Sequence, residues 1–202
     1  MAHPKHAKPD HPINELISTR WSPYGFSDWV VSDEQIQSIF EAARWAASSY
    51  NEQPWSYIIA TRDMKEEFDR LLSCLMELNQ AWAKSAPVLA IGCYKSNFTH
   101  NNTPNRVAQH DLGLAAGNIC LQATALGLCV HQMAGILPDK VRELYAVPEG
   151  IHPLTALAIG YPADAQTLPE SLKQRDQAPR PRKKLPEFVF GGKWGTASSV
   201  VK

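Results

Sequence analysis

From position 42 to position 55 the chain reads Ala-Ala-Arg-Trp-Ala-Ala-Ser-Ser-Tyr-Asn-Glu-Gln-Pro-Trp. Two hydroxyls, Ser48 and Ser49, are followed by the carboxamides of Asn51 and Gln53 and by a Pro54-Trp55 stop. The stretch gathers hydrogen-bonding groups without net charge at the end of an apolar-faced helix. Such a set suits the polar edge of a flat ring better than a free phosphate or a metal ion.

Other candidate groups are spread along the chain. Arg20-Trp21-Ser22-Pro23 reads as an extended turn, in which Arg20 can fork two hydrogen bonds to a phosphate and Ser22 can add a third. A turn held by an Arg–carboxylate pair is the plainer reading of the same residues. Ser48 and Ser49 also suit helix C-caps, Asn79 suits a cap near the end of a second helix, and Met133-Ala134-Gly135 suits a strand exit. Cys129 and His131 share one face of a strand, a face expected to be core, which disfavours a thiol–imidazole nucleophile. His110-Asp111 reads as a surface or capping pair. No G-x-G-x-x-G, G-x-x-x-x-G-K-S/T or G-x-S-x-G is present. Neither a Rossmann site, a P-loop nor a nucleophile elbow is therefore supported.

The elements that must position these groups follow from periodicity. Residues 13–18 read as a short helix and residues 31–47 as the clearest one. There Ser32 and Gln35 make a capping box, Val31 staples onto Ile36, and Ile36, Ile39, Phe40, Ala43 and Ala47 recur at helical spacing. Strands are expected over 56–61, 88–94, 128–133 and 155–161. Helices are expected over 64–78, 105–126 and 138–145, the last with proline in its first turn. The 105–126 helix is apolar nearly all round and rich in Gly and Ala, so it must be buried in the domain centre or across a subunit interface. Residues 95–104 form a polar loop. From Pro162 onward, prolines punctuate a basic stretch with Arg180, Arg182, Lys183 and Lys184, and residues 187–190 are apolar enough for a strand. An arm of this kind, without a helix of its own, needs a host surface, and a neighbouring subunit's sheet edge would serve.

At 202 residues the chain suits one domain. Its expected extent is 13–202, after a flexible polar tail over 1–12 and with 172–195 as the arm that wraps the partner. No metal site is assigned. A hydrophobic content of 44% and a charged content of 20% match an ordinary soluble protein. The formal net charge of +0 disfavours general attraction to nucleic acid or to an acidic membrane. The apolar run 112–130 carries Asn118, Gln122 and Thr124, which a bilayer span tolerates poorly. No secretory signal is visible. Cys74, Cys93, Cys120 and Cys129 sit in apolar segments without a C-x-x-C pair and read as reduced thiols of a cytoplasmic protein.

Taken in order, several pieces together resemble the nitroreductase-like family of FMN-dependent oxidoreductases, in the branch that begins with Arg-Trp-Ser-Pro. They are Arg20-Trp21-Ser22-Pro23, the 42–55 stretch, Asn79-Gln80-Ala81-Trp82-Ala83, Asp111-Leu112-Gly113-Leu114-Ala115, Met133-Ala134-Gly135 and Glu187-Phe188-Val189-Phe190. The resemblance implies an α+β fold, a mixed or antiparallel sheet flanked by helices, and an intertwined homodimer with exchanged C-terminal arms and FMN at the interface. It implies that Arg20 and Ser22 hold the phosphate and ribityl end, with Trp21 and Tyr24 in the same loop. Arg182 and Lys184 would close around the phosphate, the choice among the basic residues of 180–184 being open. Ser48, Ser49 and Asn51 would reach the ring from the partner subunit, Asn79 would face its pyrimidine edge, and the backbone of Ala134 and Gly135 would lie beside N5. Two departures stand out: Tyr24 replaces a residue that is commonly basic, and Ala47 replaces a proline.

The activity implied is hydride transfer from NADPH or NADH through FMN to a small flat acceptor, nitroaromatic or quinone, in a ping-pong cycle. No side chain is assigned as a catalytic acid or base, because the flavin carries the chemistry. Arg20 and Asn79 are the candidates to stabilise the charge of the reduced ring. Trp45, Trp82, Phe98 and His131 are candidates to line the acceptor slot. A flavin-binding store or sensor, and a specialised dehalogenase or dehydrogenase on the same scaffold, are the alternatives.

Overall fold

The computed structural model describes residues 3–201, so the outermost residues of the expected tail and domain, 1–2 and 202, lie outside the described residues. The elements follow in the order α1 (Glu15–Thr19), α2 (Asp33–Arg44), β1 (Trp55–Thr61), α3 (Lys65–Leu72), α4 (Glu77–Ala83) and β2 (Val88–Lys95). Then come α5 (Ala108–Ala125), β3 (Cys129–Met133), α6 (Pro138–Tyr145), β4 (Ile151–Gly160) and α7 (Glu170–Gln177). α2 begins where its capping box says: the Gln35 N–H donates to the Ser32 hydroxyl at 3.3 Å and the Ser32 N–H to the Gln35 carboxamide at 3.1 Å.

The strands form one antiparallel sheet in the order β1-β2-β4-β3, giving the α+β architecture. Alternation along the central strands divides the core in two. Leu89, Ile91, Ala156 and Ala158 face the cluster built with Phe68 and Leu71 of α3, Leu75 of the segment after it and Trp82 of α4. Val88, Ala90, Leu157 and Ile159 face the cluster built with Ile39 and Ala43 of α2 and Ala115, Ile119 and Ala123 of α5. The small residues of α5 let it lie close against the sheet. Its other face stays open within the chain: Gly113 is exposed, Leu114 is 39% exposed, and a Cβ built at Gly113 or Gly117 would meet nothing within 4 Å.

The structure corrects four expectations. The helix expected over 64–78 is two helices. The backbone at 74–76 pairs instead with the segment after β3: the Leu137 N–H donates to the Cys74 carbonyl at 2.7 Å and the Met76 N–H to the Gly135 carbonyl at 3.0 Å. Asn79 therefore lies in the first turn of α4 rather than near a helix end. The arm carries a helix after all. α7 is polar on nearly every side and buries only Asp176, so periodicity gave no sign of it. The strand expected over 187–190 is a 3-10 turn, Leu185–Glu187, followed by a single bridge from Phe190 to Ala197. Asp111 is not a surface residue but is buried at the start of α5.

All four cysteines are buried free thiols. Among the described residues no helix is long and apolar enough to cross a membrane.

Candidate functional site

Two groups of candidate residues gather at opposite edges of the sheet. The first lies along the β3 edge. The loop after α1 runs Arg20 to Gly25, where the Arg20 guanidinium donates to the Ser22 hydroxyl at 3.2 Å. Trp21 is buried and carries the His3 ring at 4.2 Å. Tyr24 sets its ring edge-on to Trp82 of α4 at 5.2 Å and to His131 of β3 at 4.7 Å. Pro23 is fixed to the same strand, because the His131 Nδ1–H donates to the Pro23 carbonyl at 2.7 Å. Burial, with Arg20 and Lys5 nearby, pushes the His131 pKa below its usual value against the pull of that carbonyl.

One turn before Trp82, the Asn79 carboxamide donates to the Gly135 carbonyl at 3.0 Å. A Cβ at Gly135 would stand 2.5 Å from the Asn79 Nδ2, so only glycine leaves that carboxamide where it is. No backbone carbonyl among the described residues accepts the Gly135 N–H. The arrangement leaves a small cradle with a carboxamide on one side and backbone on the other.

Beyond Arg20 lies a cavity of about 850 Å³ between the N-terminal segment and the arm. Arg20, Arg180, Arg182, Lys183 and Lys184 line it, with Asp10 as its carboxylate. The basic residues differ in employment. Arg180 donates to the Arg20 carbonyl at 2.6 Å and the Ser18 carbonyl at 3.2 Å, closing the end of α1. Lys184 pairs with Asp10 at 2.8 Å, and Arg182 donates to the Pro181 carbonyl at 2.8 Å.

The second group lies before β1. The Ser49 N–H donates to the buried Asp111 carboxylate at 3.0 Å, and the Gln53 N–H to the Ser48 hydroxyl at 3.0 Å. Glu52 ties the turn to the 95–104 loop by accepting the Thr99 N–H at 2.7 Å. None of these bonds uses the Ser49 hydroxyl or the Asn51 carboxamide. Tyr50, Asn51 and Gln53 have φ of 53°, 55° and 51°, the left-handed region that side chains rarely adopt. Three such residues in four hold the turn in a strained shape that its neighbours impose.

The structure thus brings Arg20, Trp21, Ser22, Tyr24, Asn79, Ala134 and Gly135 to one edge, with Arg182 and Lys184 across the cavity from Arg20. It does not bring Ser48, Ser49 and Asn51 to them. β1 and β3 stand three strand spacings apart, or about 14 Å. Of the suggested slot residues, Trp82 and His131 belong to the packing around Tyr24, and Trp45 is 73% exposed with its indole N–H on Glu41. Phe98 lies beside Tyr50 at 5.7 Å. Sequence reasoning missed Asp111 as an anchor, although it is the only carboxylate in α5. It also missed Asp176, whose role had no local signal.

The profile of the Nitroreductase family matches residues 17–161. The chain belongs to this family. A solved structure described as an oxidoreductase containing FMN superposes with a TM-score of 0.87 and is 32% identical, covering 93% of this chain and 95% of its own. The NAD(P)H-type FMN reductase of Bacillus subtilis is 28% identical over 183 residues, 80% of this chain and 72% of that one. A Methanothermobacter thermautotrophicus protein provisionally named as an NADH dehydrogenase/NAD(P)H nitroreductase is 32% identical over 158 residues, 75% of this chain and 78% of that one.

Proposed function

We propose that the chain is an FMN-dependent oxidoreductase that draws hydride from NADPH or NADH and delivers electrons to a flat acceptor of nitroaromatic or quinone type. The observation that carries this reading is the Asn79–Gly135 cradle on the same edge as the Arg20–Ser22 pair, in a chain of the nitroreductase family. Its donor set fits FMN: a neutral carboxamide and a free backbone N–H for a ring edge, and a guanidinium with a hydroxyl for a phosphate. Bound FMN would supply the redox chemistry, accepting hydride at N5 and releasing electrons to the acceptor.

The residues of the chain bind and orient. Arg20, Ser22, Arg182 and Lys184 hold the phosphate, and Lys184 exchanges Asp10 for it. Asn79, kept in place by the Gly135 carbonyl, faces the polar edge of the ring. Gly135 lets the backbone approach it. Half-buried His131 holds the loop through the Pro23 carbonyl. Ser48, Ser49 and Asn51 meet the ring from a second copy of the chain. The 14 Å separation within one chain and the open, apolar face of α5 both support this pairing. Nicotinamide and acceptor use the same slot in turn.

The test is a visible absorption spectrum of purified protein under nitrogen. A yellow protein that bleaches with NADPH or NADH and recolours with a quinone is expected. Protein that stays colourless after FMN is added would overturn the reading. Colour that neither nicotinamide removes would favour a flavin store.

A further inference from the structure

The Arg20–Gly25 loop carries its one cation at its start, and Tyr24 stands near its end. Tyr24 occupies the middle of the β3 edge. Its ring touches Trp82, one turn after Asn79 on α4, and His131, four residues before Gly135. It therefore bridges the Arg20 end of the edge and the Asn79–Gly135 cradle. Over this ring, with its Cζ 5.2 Å from the centroid, lies the guanidinium of Arg175 from the last turn of α7. We propose that Arg175, presented by Tyr24, is the charge partner of the bound ring: it places at mid-site the positive charge that the loop itself lacks.

Three features of the structure support this assignment. First, Arg175 is exposed and enters no ion pair among the described residues, so its charge is not spent within the chain. Second, the end of α7 that carries it is anchored. The neighbouring Asp176 is 1% exposed and accepts the Tyr24 N–H at 2.9 Å, which ties the end of α7 to the loop. Third, the C-terminal turn of a helix favours a cation, so α7 stabilises the guanidinium where it stands. A guanidinium over an aromatic face keeps its N–H groups free at the rim to meet an anion. A flavin ring gains negative charge on two-electron reduction, and a fixed cation beside it favours the reduced form over the oxidised one.

The inference rests on the FMN reading above, and one experiment separates the two. Full-length wild type, Arg175→Met and Arg175→Lys are stripped of FMN, titrated with oxidised FMN by fluorescence quenching, and reloaded for a spectroelectrochemical titration at pH 7.5. The expected result is that Arg175→Met loses about tenfold more affinity for reduced than for oxidised FMN. That ratio lowers the two-electron midpoint potential by about 30 mV. Arg175→Lys restores most of the shift, and the melting temperatures of the three FMN-free proteins coincide. Wild type that binds FMN, with all three potentials equal, overturns the assignment and leaves the FMN reading intact. A drop in Arg175→Met that lysine does not restore overturns it as well, because shape rather than charge would then be responsible. Wild type that fails to bind FMN removes both.

Discussion

Gly135 and Asn79 are set so closely that one methyl group tests them. Gly135→Ala pushes a Cβ against the Asn79 carboxamide, which must turn away. The FMN dissociation constant is expected to rise about tenfold, the worth of one hydrogen bond, with the fold retained. Titration of FMN-free protein checks this. Asp111 is the matching test for the other group. Asp111→Ala leaves the Ser49 N–H without its acceptor and is expected to cost about 1–3 kcal/mol in urea unfolding, whereas Asp111→Asn keeps an acceptor oxygen and recovers much of it. His131 sets a pH dependence. Its folded pKa lies below the ordinary 6.5, so the unfolded chain takes up the proton first as the pH falls. Its contribution is nil above that value, and stability declines as the pH drops below about 6.5. The urea midpoint of wild type is expected to fall between pH 7.5 and 5.5 more steeply than that of His131→Phe.

Among the elements, the start of α2 was legible from its capping box, but its end was not: the helix expected to reach 47 stops at Arg44, and Ala47, placed in the apolar stripe, is exposed. Ser32→Ala is expected to lower stability by about 1 kcal/mol, read as a shift in melting temperature. α6, the first three strands and the 95–104 loop were clear, since Pro138, apolar runs and polar loop residues act locally, whereas β4, expected from 155, begins at Ile151 and takes Pro153 into the sheet. The break between α3 and α4 was not. The apolar spacing of Phe68, Leu71, Leu72 and Leu75 runs straight into it, and only the distant segment at 135–137 claims the backbone at 74–76. α7 escaped for the opposite reason. It has no stripe, and its place is set by one buried carboxylate reaching a loop about 150 positions earlier. The candidate site followed the same rule. Residue types and order named its candidates, but not that Asn79 would be held by Gly135, nor that Tyr24 would turn into the packing around Trp82.

At the scale of the whole molecule, the proposed second copy is tested on the open face of α5. Gly113→Glu with Leu114→Glu puts two charges on that face. Both positions are exposed in the single chain, and replacing a helical glycine aids the helix, so the fold is expected to hold. Light scattering after size exclusion is expected to show a monomer, and absorbance near 450 nm to show loss of FMN. A dimer of unchanged mass would remove α5 from the interface.

With the serine turn and the glycine cradle at opposite margins of one sheet, the proposed pairing makes retention of the pigment a matter of mass action. Dilution past the point where pairs separate should bleed colour from the protein without any reductant. Two copies fused in tandem by a long flexible tether should stay coloured at the same concentration.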